Sequence, residues 1–175
     1  MELETARVER RPLAGRPSPA RGTRPIDSEL TPGQRAALAR VTEPLADGRH
    51  TTILLEGVTA SGKSAVYAAA IAAAVAAGRG ALVLVPEIAL AVPLLERLQH
   101  DLGLEVALLH SGLSDGERGD EWRRIRAGEV SVVVGTRLAA LAPLAAPGVI
   151  IVDEEHDAAY KSDRTPRYQA RDLAV

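Results

Sequence analysis

Two stretches of the chain hold residue types that could handle a phosphorylated ligand. GVTASGKS, Gly57 to Ser64, contains one of only two lysines in a chain whose other cationic side chains are arginines. The stretch fits GxxxxGK[ST]. Its glycines, Gly57 and Gly62, let the backbone curl so that the N–H groups of Val58, Thr59, Ala60 and Ser61 can point at phosphate oxygens. Lys63 offers a compact ammonium that reaches where a planar guanidinium fits poorly. Ser64 offers a hydroxyl for Mg²⁺. The second stretch is VIIVDEEH, Val149 to His156. An apolar run leading into Asp153 and Glu154 places carboxylates at a strand end, where Asp153 would hold Mg²⁺ and Glu154 would orient and deprotonate an attacking water.

Base choice can be narrowed from what surrounds these stretches. The chain contains no asparagine, so a guanine-reading NKxD motif is impossible and ATP is favoured. Upstream, in LTPGQ, Gln34 supports two readings. Its amide could make a two-point contact with adenine, or it could close a capping box with Thr31.

The elements that must carry these residues follow from patterning. TTILLE, ALVLVP, EVALLH, VSVVVG and VIIVDE are short, continuously apolar runs that alternate with helix-like segments. Runs of this kind suit strands covered on both faces of a parallel sheet. The first helix is expected from Pro32 to about Asp47–Gly48. A later one should open at Ser114, paired with Glu117 as a second capping box, and close near Gly128. The expected fold class is therefore α/β, a central mostly parallel sheet flanked by helices. Its ligand should lie off the carboxyl ends of the strands. Residues 1–29 mix Arg, Pro, Glu and Gly without periodicity and read as a flexible lead-in or linker before a domain over 30–175.

Composition limits the alternatives. Hydrophobic residues make up 46% of 175, with 2% aromatics and no Phe, so a core of Ala, Val, Leu and Ile is expected. A net charge of −2 argues against a broad basic face, leaving nucleic acid to local loops. Cysteine is absent, which excludes disulfides and thiolate metal sites within these residues. The run AVYAAAIAAAVAA is too short to span a bilayer and reads as a buried helix, so no membrane role and a cytoplasmic location are expected.

With the two-part site and Gln34 in place, further stretches give a specific resemblance. LVPEIAL from Leu82, LHSGLSDGER from Leu109, VVVGTR from Val132 and DEEHDAAYKSDRTPRYQARDLAV from Asp153 are similar to the primosomal replication-restart helicases of superfamily 2. The similarity runs from about residue 28 to the end, and the last stretch is the most discriminating. The resemblance implies a RecA-like P-loop domain: the first motor lobe of an ATP-driven DNA helicase that acts in primosome assembly at stalled forks. It implies ATP and Mg²⁺ as cofactors, and as partners forked or single-stranded DNA, primosome proteins and single-strand-binding proteins. It implies DNA contacts at Pro86, Glu87, Thr136 and Arg137, and in the aromatic segment at Tyr160, Lys161, Arg167 and Tyr168, with His156 coupling DNA to ATP.

On the residues alone, the tyrosines read either as base-stacking platforms or as packing at the domain edge. Arg137 reads either as a phosphate grip or as a surface charge. The family's arginine finger and zinc-binding cysteines belong to a second lobe, so zinc is expected only of a full-length protein and little hydrolysis of this chain alone. Ala60 stands where the family usually has glycine. That departure raises a rival reading, a non-catalytic ATP- and DNA-binding scaffold. A second rival is a transporter ATPase, which lacks an LSGGQ-like signature here, or a small-molecule kinase, which leaves DEEH and GTR unexplained.

Overall fold

The computed structural model describes residues 30–57, 62–163 and 167–174. The lead-in expected over residues 1–29, and Val58, Thr59, Ala60 and Ser61 of the glycine-bearing loop, lie outside the described residues.

The chain opens with helix α1, Pro32–Asp47. Thr31 caps it through a complete box: its hydroxyl accepts from the Gln34 N–H while the Gln34 side chain accepts from the Thr31 N–H. Pro32 at the first helical position forfeits no hydrogen bond. Helix α2, Lys63–Ala76, is the alanine-rich segment, with Val66, Ala68, Ala69, Ala70, Ile71 and Ala74 buried. Then strand β1, Gly80–Leu84, helix α3, Ile88–Leu102, strand β2, Val106–Leu109, and helix α4, Asp115–Arg126, alternate. Strand β3, Val132–Gly135, a 3₁₀ turn at Arg137–Leu141 and strand β4, Pro147–Val152, follow, before a second 3₁₀ turn at Ala158–Tyr160 and the short α5, Ala170–Ala174.

The four strands form one parallel sheet in the order β2-β3-β1-β4. Side chains alternate across it. Ala81 and Val83 face a cluster with Ala68 and Ile71 of α2 and Ala91, Leu95 and Leu98 of α3. Leu82 and Leu84 face the other side, against Ile125 of α4, Ala139, Tyr160 and Ala170. Small and branched residues fill both layers, as a chain without Phe requires.

The β2 side of the sheet is tied down by a polar group. Glu121, on α4 and almost fully buried, accepts the Leu108 N–H at 3.0 Å and pairs with Arg124 at 2.6 Å. Arg124 also bonds Glu105. The helix thereby satisfies a backbone donor that burial would otherwise leave costly.

One expected strand does not form. TTILLE was expected in the sheet, yet residues 51–57 join no ladder and Leu54 is 68% exposed. Both edges of β1 are taken, by β3 and β4, and β4 pairs with β1 alone among the described residues. The sheet accordingly has four strands where five apolar runs promised five.

Candidate nucleotide site and DNA-facing edge

All four strands end at one edge, and the singled-out residues follow them there. Pro86 and Glu87 come after β1, His110 after β2, Thr136 and Arg137 after β3, Asp153 and Glu154 after β4. This is where a parallel α/β sheet places its ligand.

Helix α2 brings the loop lysine to the same edge. Gly62 caps α2 at φ 80°, a left-handed conformation that glycine adopts without strain. A Cβ at this position would also stand 2.5 Å from Gln34 Nε2. The Gln34 amide donates to the Gly62 carbonyl at 3.2 Å, so one side chain both caps α1 and braces the start of α2. Of the two readings of Gln34, capping is realised here, and the contact with the phosphate loop is one the sequence did not suggest.

Lys63 Nζ lies 3.7 Å from Glu154 Oε1 and donates to the Gly57 carbonyl at 3.1 Å. Lys63 and Glu154, distant in the chain, therefore meet. Glu154 adopts φ 47°, and among the described residues it is the one non-glycine with positive φ. Such a backbone costs about 1 kcal/mol or more and is tolerated where its surroundings impose it, as at functional sites. Asp153 is anchored by its own N–H, which donates to the Leu84 carbonyl at 2.9 Å. Its carboxylate accepts a hydrogen bond from the Tyr67 phenol at 2.9 Å. Burial first, and then the Asp153 charge, push the Tyr67 pKa up, which keeps that phenol a donor.

The residues expected to contact DNA divide into those at the surface and those used internally. Lys161 and Arg167 are exposed, as is Glu87. Tyr160 corrects an expectation. Its ring is fully buried, and its hydroxyl lies 2.5 Å from the Asp153 carbonyl and 3.0 Å from that of Leu84. A ring in the core has no face to offer a base, so Tyr160 packs the domain rather than stacking. Burial and the neighbouring Asp153 push its pKa up as well.

Arg137 donates to the Ala159 and Lys161 carbonyls at 3.2 Å each, holding the 158–160 turn against β3. Tyr168, half-buried, donates to the Arg137 carbonyl at 3.2 Å. Thr136 is buried and donates its N–H to Leu109. His156 is largely exposed, with Nε2 3.9 Å from Glu154 Oε2. Ser64 lies in the first turn of α2.

The structure adds Tyr67 and Glu121, which sequence reasoning missed. Tyr67 was findable, because it stands four residues after Lys63 and so shares its helix face. Glu121 carried no local signal.

Comparison with known proteins agrees with this geometry. The DEAD/DEAH box helicase family model matches residues 31–173. The chain is 47% identical over 146 residues to a protein of Bacillus subtilis (strain 168) named "Replication restart protein PriA", covering 83% of this chain and 18% of that one. Its identity to a protein of the same name from Synechocystis sp. is 46% over 147 residues, 83% of this chain and 17% of the relative. For the one from Treponema pallidum it is 42% over 155 residues, 88% and 23%. The chain thus spans about a fifth of the length of the curated relatives it matches. Both halves of the phosphate site fall inside the matched span, and the chain belongs to the DEAD/DEAH box helicase family.

Proposed function

We propose that residues 30–175 form the ATP-binding motor lobe of a DNA helicase acting in replication restart. The observation that carries the reading is the contact of Lys63 with Glu154, the residue after Asp153, at the carboxyl edge of the sheet. The donor set suits a magnesium–nucleotide. Lys63 would donate to the β- and γ-phosphates, and the free N–H groups at the start of α2 would face their oxygens. The Ser64 hydroxyl and the Asp153 carboxylate would hold Mg²⁺. When bound, Mg²⁺ neutralises charge on the phosphates. Glu154 would orient a water and take its proton at the carboxylate.

Exposed Lys161 and Arg167, with Pro86 and Glu87 after β1, would supply local rather than broad contact to DNA. His156, with Nε2 3.9 Å from Glu154 Oε2, would couple bound DNA to the nucleotide. In a complete protein the reading extends to forked or single-stranded DNA as substrate and to primosome and single-strand-binding proteins as partners. It extends also to zinc held by cysteines outside this chain, and to a cytoplasmic location. No helix among the described residues is long and apolar enough to cross a membrane.

The test is ATP hydrolysis by the complete protein with and without forked DNA, alongside Glu154→Gln. DNA-stimulated turnover that Glu154→Gln abolishes is the expected result. Equal, DNA-insensitive rates in both proteins would overturn the motor reading in favour of a non-catalytic scaffold.

A further inference from the structure

Helix α2 touches both acidic residues at the end of β4, through two side chains one turn apart. Lys63 stands 3.7 Å from Glu154, and Tyr67 donates to Asp153 Oδ1 at 2.9 Å. The spacing of four puts both on one helix face. Asp153 is only partly buried, so without a partner its carboxylate could turn about χ1 and χ2. The backbone beneath it is already held, by its N–H to Leu84 and by the Tyr160 hydroxyl on its carbonyl. The phenol fixes the remaining freedom.

We infer that Tyr67 is a positioning residue for the nucleotide's cation, occupying Oδ1 of Asp153 so that Oδ2 is presented to the metal or its bound water. The inference rests on the nucleotide-site reading above. It follows a general pattern in which hydrogen-bond partners of metal-ligating carboxylates set their orientation and basicity. The phenol hydroxyl has a single hydrogen to donate, and the 2.9 Å contact directs it at Oδ1. A phenylalanine at this position would keep the ring's packing and lose only the hydrogen bond, leaving Oδ1 to compete with Oδ2 for the ion.

The test uses the 175-residue chain, with Mn²⁺ as the probe ion and electron paramagnetic resonance reporting free Mn²⁺ in the presence of ATP. Binding of ATP in EDTA is followed separately with a fluorescent analogue. Tyr67→Phe is expected to weaken Mn²⁺ binding to the nucleotide complex about tenfold and to leave metal-free nucleotide binding unchanged. In an Asp153→Asn background the same substitution should cost nothing further, because its effect passes through the carboxylate.

Parent-like Mn²⁺ affinity in Tyr67→Phe, with Asp153→Asn still weakened, would overturn the positioning role and leave the nucleotide site standing. An equal loss with and without metal would also overturn it, since that is a packing effect. If neither Lys63→Ala nor Asp153→Asn alters Mn²⁺·ATP binding, the nucleotide reading falls, and the role of Tyr67 falls with it.

Discussion

Lys63 already has an acidic partner, and the strength of that pairing decides how easily a nucleotide can claim the lysine. The Lys63–Glu154 pair is partly solvated, with side chains 24% and 46% exposed. Ion pairs in such settings contribute little, on the order of 1 kcal/mol or less. A triphosphate carries several charges and accepts hydrogen bonds from helix N–H groups as well, so on the proposed function it would displace Glu154 and free that carboxylate for water. Lys63→Ala should therefore remove most ATP affinity. Glu154→Gln should bind ATP nearly as the parent does, while turnover of the complete protein falls by about 10²-fold or more. Nucleotide titration together with a steady-state ATPase assay separates the two.

Gly62 gives a third residue-scale outcome. Gly62→Ala places a side chain at φ 80° and drives it into Gln34. A non-glycine residue there costs about 1–2 kcal/mol in backbone strain before the clash is counted. Thermal unfolding should show that loss, together with weakened nucleotide binding.

Among the elements, helix α4 depends on a buried ion pair. Glu121 holds both Arg124 and the Leu108 N–H. Glu121→Ala should destabilise the fold by about 1–3 kcal/mol, read from denaturant unfolding, because it leaves the Leu108 N–H without its acceptor and removes one of the carboxylates that Arg124 bonds, Glu105 remaining.

His110, just past β2, is buried, and its Nδ1 accepts the Gly112 N–H at 3.1 Å. Burial pushes its pKa below the ordinary value of 6.5, against a weaker opposing pull from Glu117. The folded chain therefore binds fewer protons here than the unfolded one. Stability from this site is fully present above about pH 6.5 and declines as pH falls toward the lowered value. Melting temperature should drop between pH 7 and 5.5, and His110→Gln should show a shallower drop.

The elements also show which signals the sequence carried. Both capping boxes, at Thr31–Gln34 and Ser114–Glu117, are realised, because each depends on a local spacing of three residues. The strands containing ALVL, VALL, VVVG and VIIV form where continuous apolar runs place them. TTILLE misled for a physical reason: its local character is that of a strand, but pairing is a property of neighbours. Tyr160 misled in the same way. An aromatic among cations resembles a stacking platform, and only tertiary packing shows the ring enclosed beneath Leu84 and Asp153.

For the molecule as a whole, the arrangement connects two kinds of site through few steps. Arg137 grips the 158–160 turn, Tyr160 within that turn holds the Asp153 backbone, and Tyr67 holds the Asp153 side chain. Force applied at the loop after β3 would reach the metal-binding carboxylate through these contacts. On the proposed function, that would give DNA binding a route to the nucleotide without any broad basic surface, in keeping with a net charge of −2.

The central claim is that Lys63 and Asp153 serve the same magnesium–triphosphate. It is tested most directly by a crystal structure of the chain with Mg²⁺ and a non-hydrolysable ATP analogue. The account predicts Lys63 Nζ released from Glu154 and lying ~3 Å from a β- or γ-phosphate oxygen. It also predicts Asp153 on the same ion, directly or through one water. A nucleotide bound elsewhere, with the lysine still paired to Glu154, would contradict it.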